Sequence, residues 1–172
     1  MKKLLMVSLI FLLCFAFGCQ EQGEEIVEKP AVDIAAEKAN VQAVLDNYAK
    51  AWEASDFELF SNVFSRDSDL VVFSAVPSKA YIGWGTFQED IQETFAESES
   101  VEITFRDVVI NVHGSGDLAW VTCHEDWKLM HQDQLVSDEG ARMTWILEKQ
   151  DGQWVVIHAH WSLPQEEEMT SN

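Results

Sequence analysis

Cysteine, positive charge and phosphate-binding glycine motifs are all scarce in this chain of 172 residues, and each shortage narrows what it can be. Only three cysteines occur. Cys14 and Cys19 lie within and just after an N-terminal apolar run, which leaves Cys123 without an intramolecular partner and excludes a disulfide framework. Cys123 sits in the strand-like stretch Val121-Thr122-Cys123 and reads as a small buried hydrophobe, because a nucleophilic thiol needs an activating base or an electropositive setting. Without a CxxC pair or a Gly-rich phosphate loop there is no cofactor fingerprint, and no cofactor is expected. Lys and Arg number 11 against 30 Asp and Glu, a formal charge of −19. A surface that displaces counterions from nucleic acid must be rich in Lys and Arg, so nucleic acid is excluded as a partner, as is electrostatic docking on anionic lipid. The longest apolar run, residues 4–17, falls short of the roughly 20 residues a membrane-spanning helix requires.

What is present is a large apolar complement: 47% hydrophobic residues, with 7 Trp and 10 Phe, enough for a sizeable single core. At the N-terminus, Met1-Lys2-Lys3 is a short cationic segment and residues 4–17 are almost unbroken apolar. Ala16-Phe17-Gly18 then places small residues before Cys19. That ending resembles the lipobox of bacterial lipoproteins, in which the cysteine is lipidated and becomes the mature N-terminus. The implied organisation is a signal peptide at 1–18, an acidic tether at 19–32 containing Pro30, a folded domain at 33–164 and an acidic tail at 165–172. It implies a cell-envelope protein held on a membrane only through lipid on Cys19, on its periplasmic or extracellular face.

Within the domain the periodicity is helical first. Val41, Val44, Leu45, Tyr48, Ala49 and Trp52 form one stripe of a helix that Asp33 can cap. Asp56 is placed to cap a second, shorter helix bearing Phe57, Phe60, Val63 and Phe64. Residues 70–73 are β-rich, and Thr86-Phe87-Gln88-Glu89 has the capping-box pattern for a third helix presenting Phe87, Ile91 and Phe95. After Ser100 the period is two. Val101, Ile103 and Phe105 share one face, then the apolar parity shifts to Val108, Ile110 and Val112, which predicts a β-bulge near Arg106 and Asp107. Further strands are predicted at 118–131, 141–149 after a polar loop at 133–138, and 154–161 after an Asp151-Gly152 hairpin turn. The fold class is α+β: three N-terminal helices packed in a strongly curved mixed or antiparallel sheet, a cone whose open end suits a small molecule.

Arg142, Thr144, Asp151-Gly152, Trp154, His158-Ala159-His160 and Ser162-Leu163-Pro164 together resemble the closing strands of the nuclear transport factor two-like superfamily. SnoaL-like domains and the association domain of calcium/calmodulin-dependent kinase II are the most similar members. Trp52, Asp56, Phe64 and Asp67 sit as in the family's first two helices and following turn, and Gly83 as in the entry to its third helix. The resemblance spans roughly residues 37–164 and implies the cone fold. It also implies a homodimer and either a cofactor-free isomerase, dehydratase or cyclase or a non-enzymatic dimerisation module. Family isomerases pair an Asp base near the first strand with a Tyr on the first helix. Asp69, Asp67 and Tyr48 occupy broadly similar places, although the Asp turn reads as solvated and Tyr48 as core.

The residues themselves suggest the following site. Glu125 interrupts the apolar face of Ala119, Val121, Cys123, Trp127 and Leu129, so it is desolvated and a general acid or base, or paired with Arg142, or exposed through a bulge or strand end. Arg142 is one of three arginines and suits a bidentate contact with a polar ligand group. His158 and His160, two apart on one strand, are expected on the face of Trp154 and Val156. There they are structural, or orient a ligand, or transfer a proton. A metal is not expected, since only His124 or Glu125 offers a third ligand. The expectation is a pocket for a small, partly apolar molecule lined by Trp52, Trp127, Arg142, His158 and His160. Glu125, His158 and Asp69 are the candidates for catalysis.

Overall fold

The computed structural model describes residues 31–75, 78–98, 100–131 and 134–164. The stretches expected to be a signal peptide and, from Cys19 to residue 30, a tether, and the expected acidic tail at 165–172, lie outside the described residues.

Helix α1 (Ile34–Glu53) starts where expected, with Asp33 Oδ1 accepting the backbone N–H groups of Ala35 and Ala36 at 3.1 Å each. Its buried stripe is Val41, Val44, Leu45, Tyr48, Ala51 and Trp52, so Ala51 takes the core place expected of Ala49. Helix α2 (Phe57–Ser61) is capped by Asp56, whose Oδ1 accepts from Leu59 N at 2.9 Å. Strands β1 (Val71–Ser74) and β2 (Lys79–Ile82) pair antiparallel, and α3 (Trp84–Glu97) follows.

The capping box predicted at Thr86 does not form. Helix α3 already begins at Trp84, and Gly83 stands at its N-cap with φ 81° and ψ 151°, a backbone state that a side chain strongly disfavours. Thr86, now inside the first turn, donates to the carbonyls of Ile82 and Gly83 instead. The junction is anchored by Gly83 N to Leu70 O and Trp84 N to Asp67 O, at 2.8 and 3.1 Å.

Four long strands, β3 (Ser100–Val112), β4 (Leu118–His131), β5 (Gln134–Gln150) and β6 (Gln153–Ser162), form consecutive antiparallel pairs. The sheet order is β2-β1-β6-β5-β4-β3, mixed because β1 runs parallel to β6. Its inner face receives the helices. Leu45, Phe60, Phe64, Trp145, Leu147 and Val156 are at most 1% exposed.

Three register shifts bend the sheet. The first, between Arg106 and Val109, is the bulge expected from the β3 pattern, with Asp107 left-handed at φ 55°. The second lies between Glu125 and Trp127, where Glu139 and Gly140 of β5 stand opposite Asp126 alone. Gly140 supplies φ 75°, and its N–H is held by Asp126 Oδ1 at 2.6 Å. This bulge lets β5 run on through the stretch predicted to be a loop, with Leu135 and Val136 paired to Met130 and Leu129. The third lies between Ile146 and Leu147, which pair with His158 and Val156 and leave Ile157 extra on β6. It reverses the facing of everything after Ile157, with direct consequences for the site.

Candidate functional site

The helices and the concave sheet face enclose a cavity of about 300 Å³ whose walls are mostly apolar. Rings of Tyr48 and Trp52 from α1, Phe60 from α2, Phe87 from α3, Trp127 from β4 and Trp161 from β6 line it. Ile91 and Thr94 of α3 and Leu129 and Val136 of the β4–β5 extension complete much of the rest.

Glu125 is the polar centre. Its position follows from parity: Val121, Cys123, Glu125 and Trp127 alternate inward along β4, and β4 pairs with β3 without interruption from Glu125 to Met130. The residue is 3% exposed. One carboxylate oxygen, Oε2, accepts the Trp161 indole N–H at 2.7 Å, and no other hydrogen bond reaches the carboxyl among the described residues. Burial pushes its pKa up to about 7; the Trp161 bond opposes that rise and the charge of Asp126 adds to it. A carboxyl poised near neutrality can give or take a proton, or accept a hydrogen bond that the protein leaves unmade.

Tyr48 is packed beside it, its ring stacked on Trp161 at 6.5 Å between centroids and edge-on to Trp145 at 5.1 Å. Burial, then the negative field of Glu125, holds the phenol pKa well above its ordinary value. The buried indole N–H of Trp52 favours ionisation of that phenol by its position, yet makes no hydrogen bond of proper geometry. Trp52 also stacks on Phe95 at 4.3 Å, which pins its plane.

At the rim, Asp90 of α3 joins Lys79 and Tyr81 of β2. The Lys79 bond, then the Tyr81 bond, keeps the Asp90 carboxyl below its usual range, and burial, then Asp90, raises the Tyr81 phenol. The sequence reading missed this trio and α3's contribution. A helical signal for Asp90 did exist, three residues after Phe87 on the face of Ile91.

The structure brings Trp52, Trp127 and Glu125 of the predicted site together and separates the rest. His158 and His160 are on the outer sheet face, because the β6 bulge turns Ala159 and Trp161 inward after Trp154 and Val156. Both imidazoles flank the half-exposed Phe73 ring, at 5.7 and 5.9 Å. Arg142 is also outside: Ala141, Met143 and Trp145 point inward, while Arg142 is exposed and donates to Leu163 O at 3.2 Å. Glu125 is therefore desolvated and not paired with Arg142; its β5 neighbour is Ala141. Asp69 lies exposed in the turn before β1, accepting from Ser68 Oγ, and does not line the cavity. His124 points outward too, 3.1 Å from Asp107. Cys123 is buried and unpaired, its thiol raised to about 12 by burial and then by Glu125, as suits a core residue. Among the described residues no three His, Cys, Asp or Glu side chains gather as a metal site would require.

Helices seated in a curved mixed sheet around one apolar cavity define an α+β cone. Residues 41–166 match the SnoaL-like domain model, and the chain belongs to that family. Solved structures share the fold. A proposed dehydratase of the nuclear transport factor 2-like family from Streptomyces avermitilis aligns with a TM-score of 0.68 at 20% identity, covering 77% of this chain and 99% of its own. A proposed scytalone dehydratase from Novosphingobium aromaticivorans gives 0.65 at 13%, covering 80% and 91%. A proposed calcium/calmodulin-dependent protein kinase II association domain from Xanthomonas campestris gives 0.64 at 16%, covering 80% and 96%. No curated protein sequence matches the chain. At these identities the likeness concerns the fold, and function rests on the site.

Proposed function

We propose that this protein binds a small, largely apolar molecule in its cone cavity and is displayed at the cell envelope through lipid on Cys19. The carrying observation is Glu125: a carboxyl on the wall of an aromatic cavity, with a single protein hydrogen bond, is an orienting group for a ligand. The lipobox-like Ala16-Phe17-Gly18-Cys19 supports the envelope assignment. Native mass spectrometry of the full-length chain from the membrane fraction tests both parts. Wild type should carry a small co-purifying mass or take up Nile red, and Thr94→Trp, which fills the cavity from α3, should lose both. Retention of the ligand by Thr94→Trp would overturn the site, and Cys19→Ser remaining in the membrane fraction would overturn the anchor.

Acid–base catalysis is the second reading, favoured by the carboxyl poised at about pH 7 beside the Tyr48 phenol. The dehydratase names among the structural relatives are compatible with it. Glu125 would then move a proton of the bound molecule without a cofactor. With a turned-over substrate, Glu125→Gln should lower kcat about 100-fold or more and abolish the pH dependence around 7. Unchanged turnover ends this reading.

A further inference from the structure

The cavity has a charge character that its apolar walls conceal. Among the described residues that line it, Glu125 and Asp90 are the charged side chains and none is Lys, Arg or His. Asp90 is already matched by Lys79 at the rim, so the uncompensated charge is that of Glu125, deep in the wall. A bound anion would face an unpaired carboxylate with no cation to receive it, which is costly in a desolvated site. A carboxylate has about four acceptor directions, and Trp161 occupies one. The same cavity is lined by the rings of Tyr48, Trp52, Phe60, Trp127 and Trp161, the ring types whose negative faces attract cations. The chain's charge of −19 also draws cations toward it and repels anions.

We propose that the cavity selects an organic ammonium ion, a small amine whose charged head meets the Glu125 carboxylate while its apolar body lies among Tyr48, Trp127 and Trp161. This rests on the reading that the cavity is the ligand site. The amine supplies the opposite charge that the protein omits, and its N–H groups fill the free acceptor directions of the carboxylate. Binding of the cation displaces the Glu125 proton to solvent wherever that proton is held, so affinity is linked to pH. Asp90 and Asp126 are held below their ordinary range by Lys79 and Arg106, and Tyr48, Tyr81 and Cys123 above theirs, so none of these changes charge between pH 5.5 and 8.5. His124 faces the opposite side of the sheet beside Asp107, and Glu125→Gln separates its contribution from that of Glu125.

Three isosteric probes decide the matter by titration calorimetry on the full-length protein: 2-naphthaleneethylamine, 2-naphthaleneethanol and 2-naphthaleneacetate. At pH 8 the amine should bind about tenfold or more tighter than the alcohol, and the acetate weakest of the three, the ratio a single charge-assisted contact supplies. In wild type the amine's advantage should shrink up to about tenfold per pH unit below about 7 and hold level from 7.5 to 8.5. In Glu125→Gln, with folding checked by circular dichroism, amine and alcohol should bind alike at every pH. The wild-type pH series keeps the test valid should that variant fail to fold. An alcohol that binds as tightly as the amine, or an acetate that binds tighter, overturns cation selection while leaving the cavity as a ligand site. Failure of all three probes together with Nile red overturns both.

Discussion

Glu125→Gln is expected to stabilise the folded protein at pH 8 by up to about 3 kcal/mol while leaving its stability at pH 4.5 nearly unchanged. In the fold this carboxyl has a pKa of about 7, whereas an ordinary glutamate, as in the unfolded chain, titrates near 4.5. Between those values the native state still holds a proton that the unfolded state has released. Stability therefore falls as pH rises through that window and levels off above the folded pKa. A gap of about 2.5 pH units at 1.36 kcal/mol each gives the estimate, and an uncharged amide of the same size removes the dependence. Thermal unfolding of both proteins at pH 4.5, 6 and 8 measures it, with a gap of up to about 10 °C at pH 8. The difference between the two curves is the quantity to read, because the other acidic residues act on both alike. A difference independent of pH would mean that Glu125 is solvated and unsuited to either role proposed for it. A carboxyl retained where it weakens the fold is what a functional site looks like energetically.

Phe60→Ala should carry the largest cost of any single truncation at the site, about 3–5 kcal/mol. The ring is 0% exposed and touches aromatic neighbours from α1, from the segment after α2 and from α3: Tyr48 at 5.7 Å, Trp52 at 5.4 Å, Phe64 at 5.1 Å and Phe95 at 5.5 Å. Removing it breaks the junction where α1, α2 and α3 meet and opens the adjoining cavity toward the core. Urea unfolding should show a lower midpoint at an unchanged slope. Phe73→Ala, which removes a half-exposed ring from the outer face, should cost about 1 kcal/mol or less. Comparable losses from the two substitutions would contradict the assignment of inner and outer faces.

Those faces are also where reading along the chain succeeded and failed. The caps at Asp33 and Asp56, the bulge at Arg106 and Asp107 and the limits of β4 were all legible, because each is written in residues adjacent along the chain. The bulge in β3 showed itself because apolar and polar residues change places there. The bulge in β6 was masked, since Val155, Val156 and Ile157 are apolar in succession and hide the change of parity. A signal did exist afterwards, in Ala159 and Trp161 alternating with His158 and His160. Taking Trp154 and Val156 as the reference instead placed both histidines inside. Arg142 was misplaced in the same way, its face being set by Ala141, Met143 and Trp145. Glu125 lies on the face that its strand pattern gives it, because no irregularity intervenes between it and the apolar residues that share that face.

The sequence alone therefore determined the order and type of nearly every element, the α+β cone and the presence of a carboxyl on an apolar strand face. Local spacing and capping carry that information. Only the tertiary structure decided which polar residues meet: Trp161 with Glu125, and Lys79 and Tyr81 with Asp90. It also decided that Arg142, His158, His160 and Asp69 stand apart from the cavity. The reason is physical. A strand repeats every two residues, so one extra residue in a bulge reverses every side chain beyond it. Where the strand's own alternation does not mark that residue, as in β6, its position shows only in the pairing with the neighbouring strand.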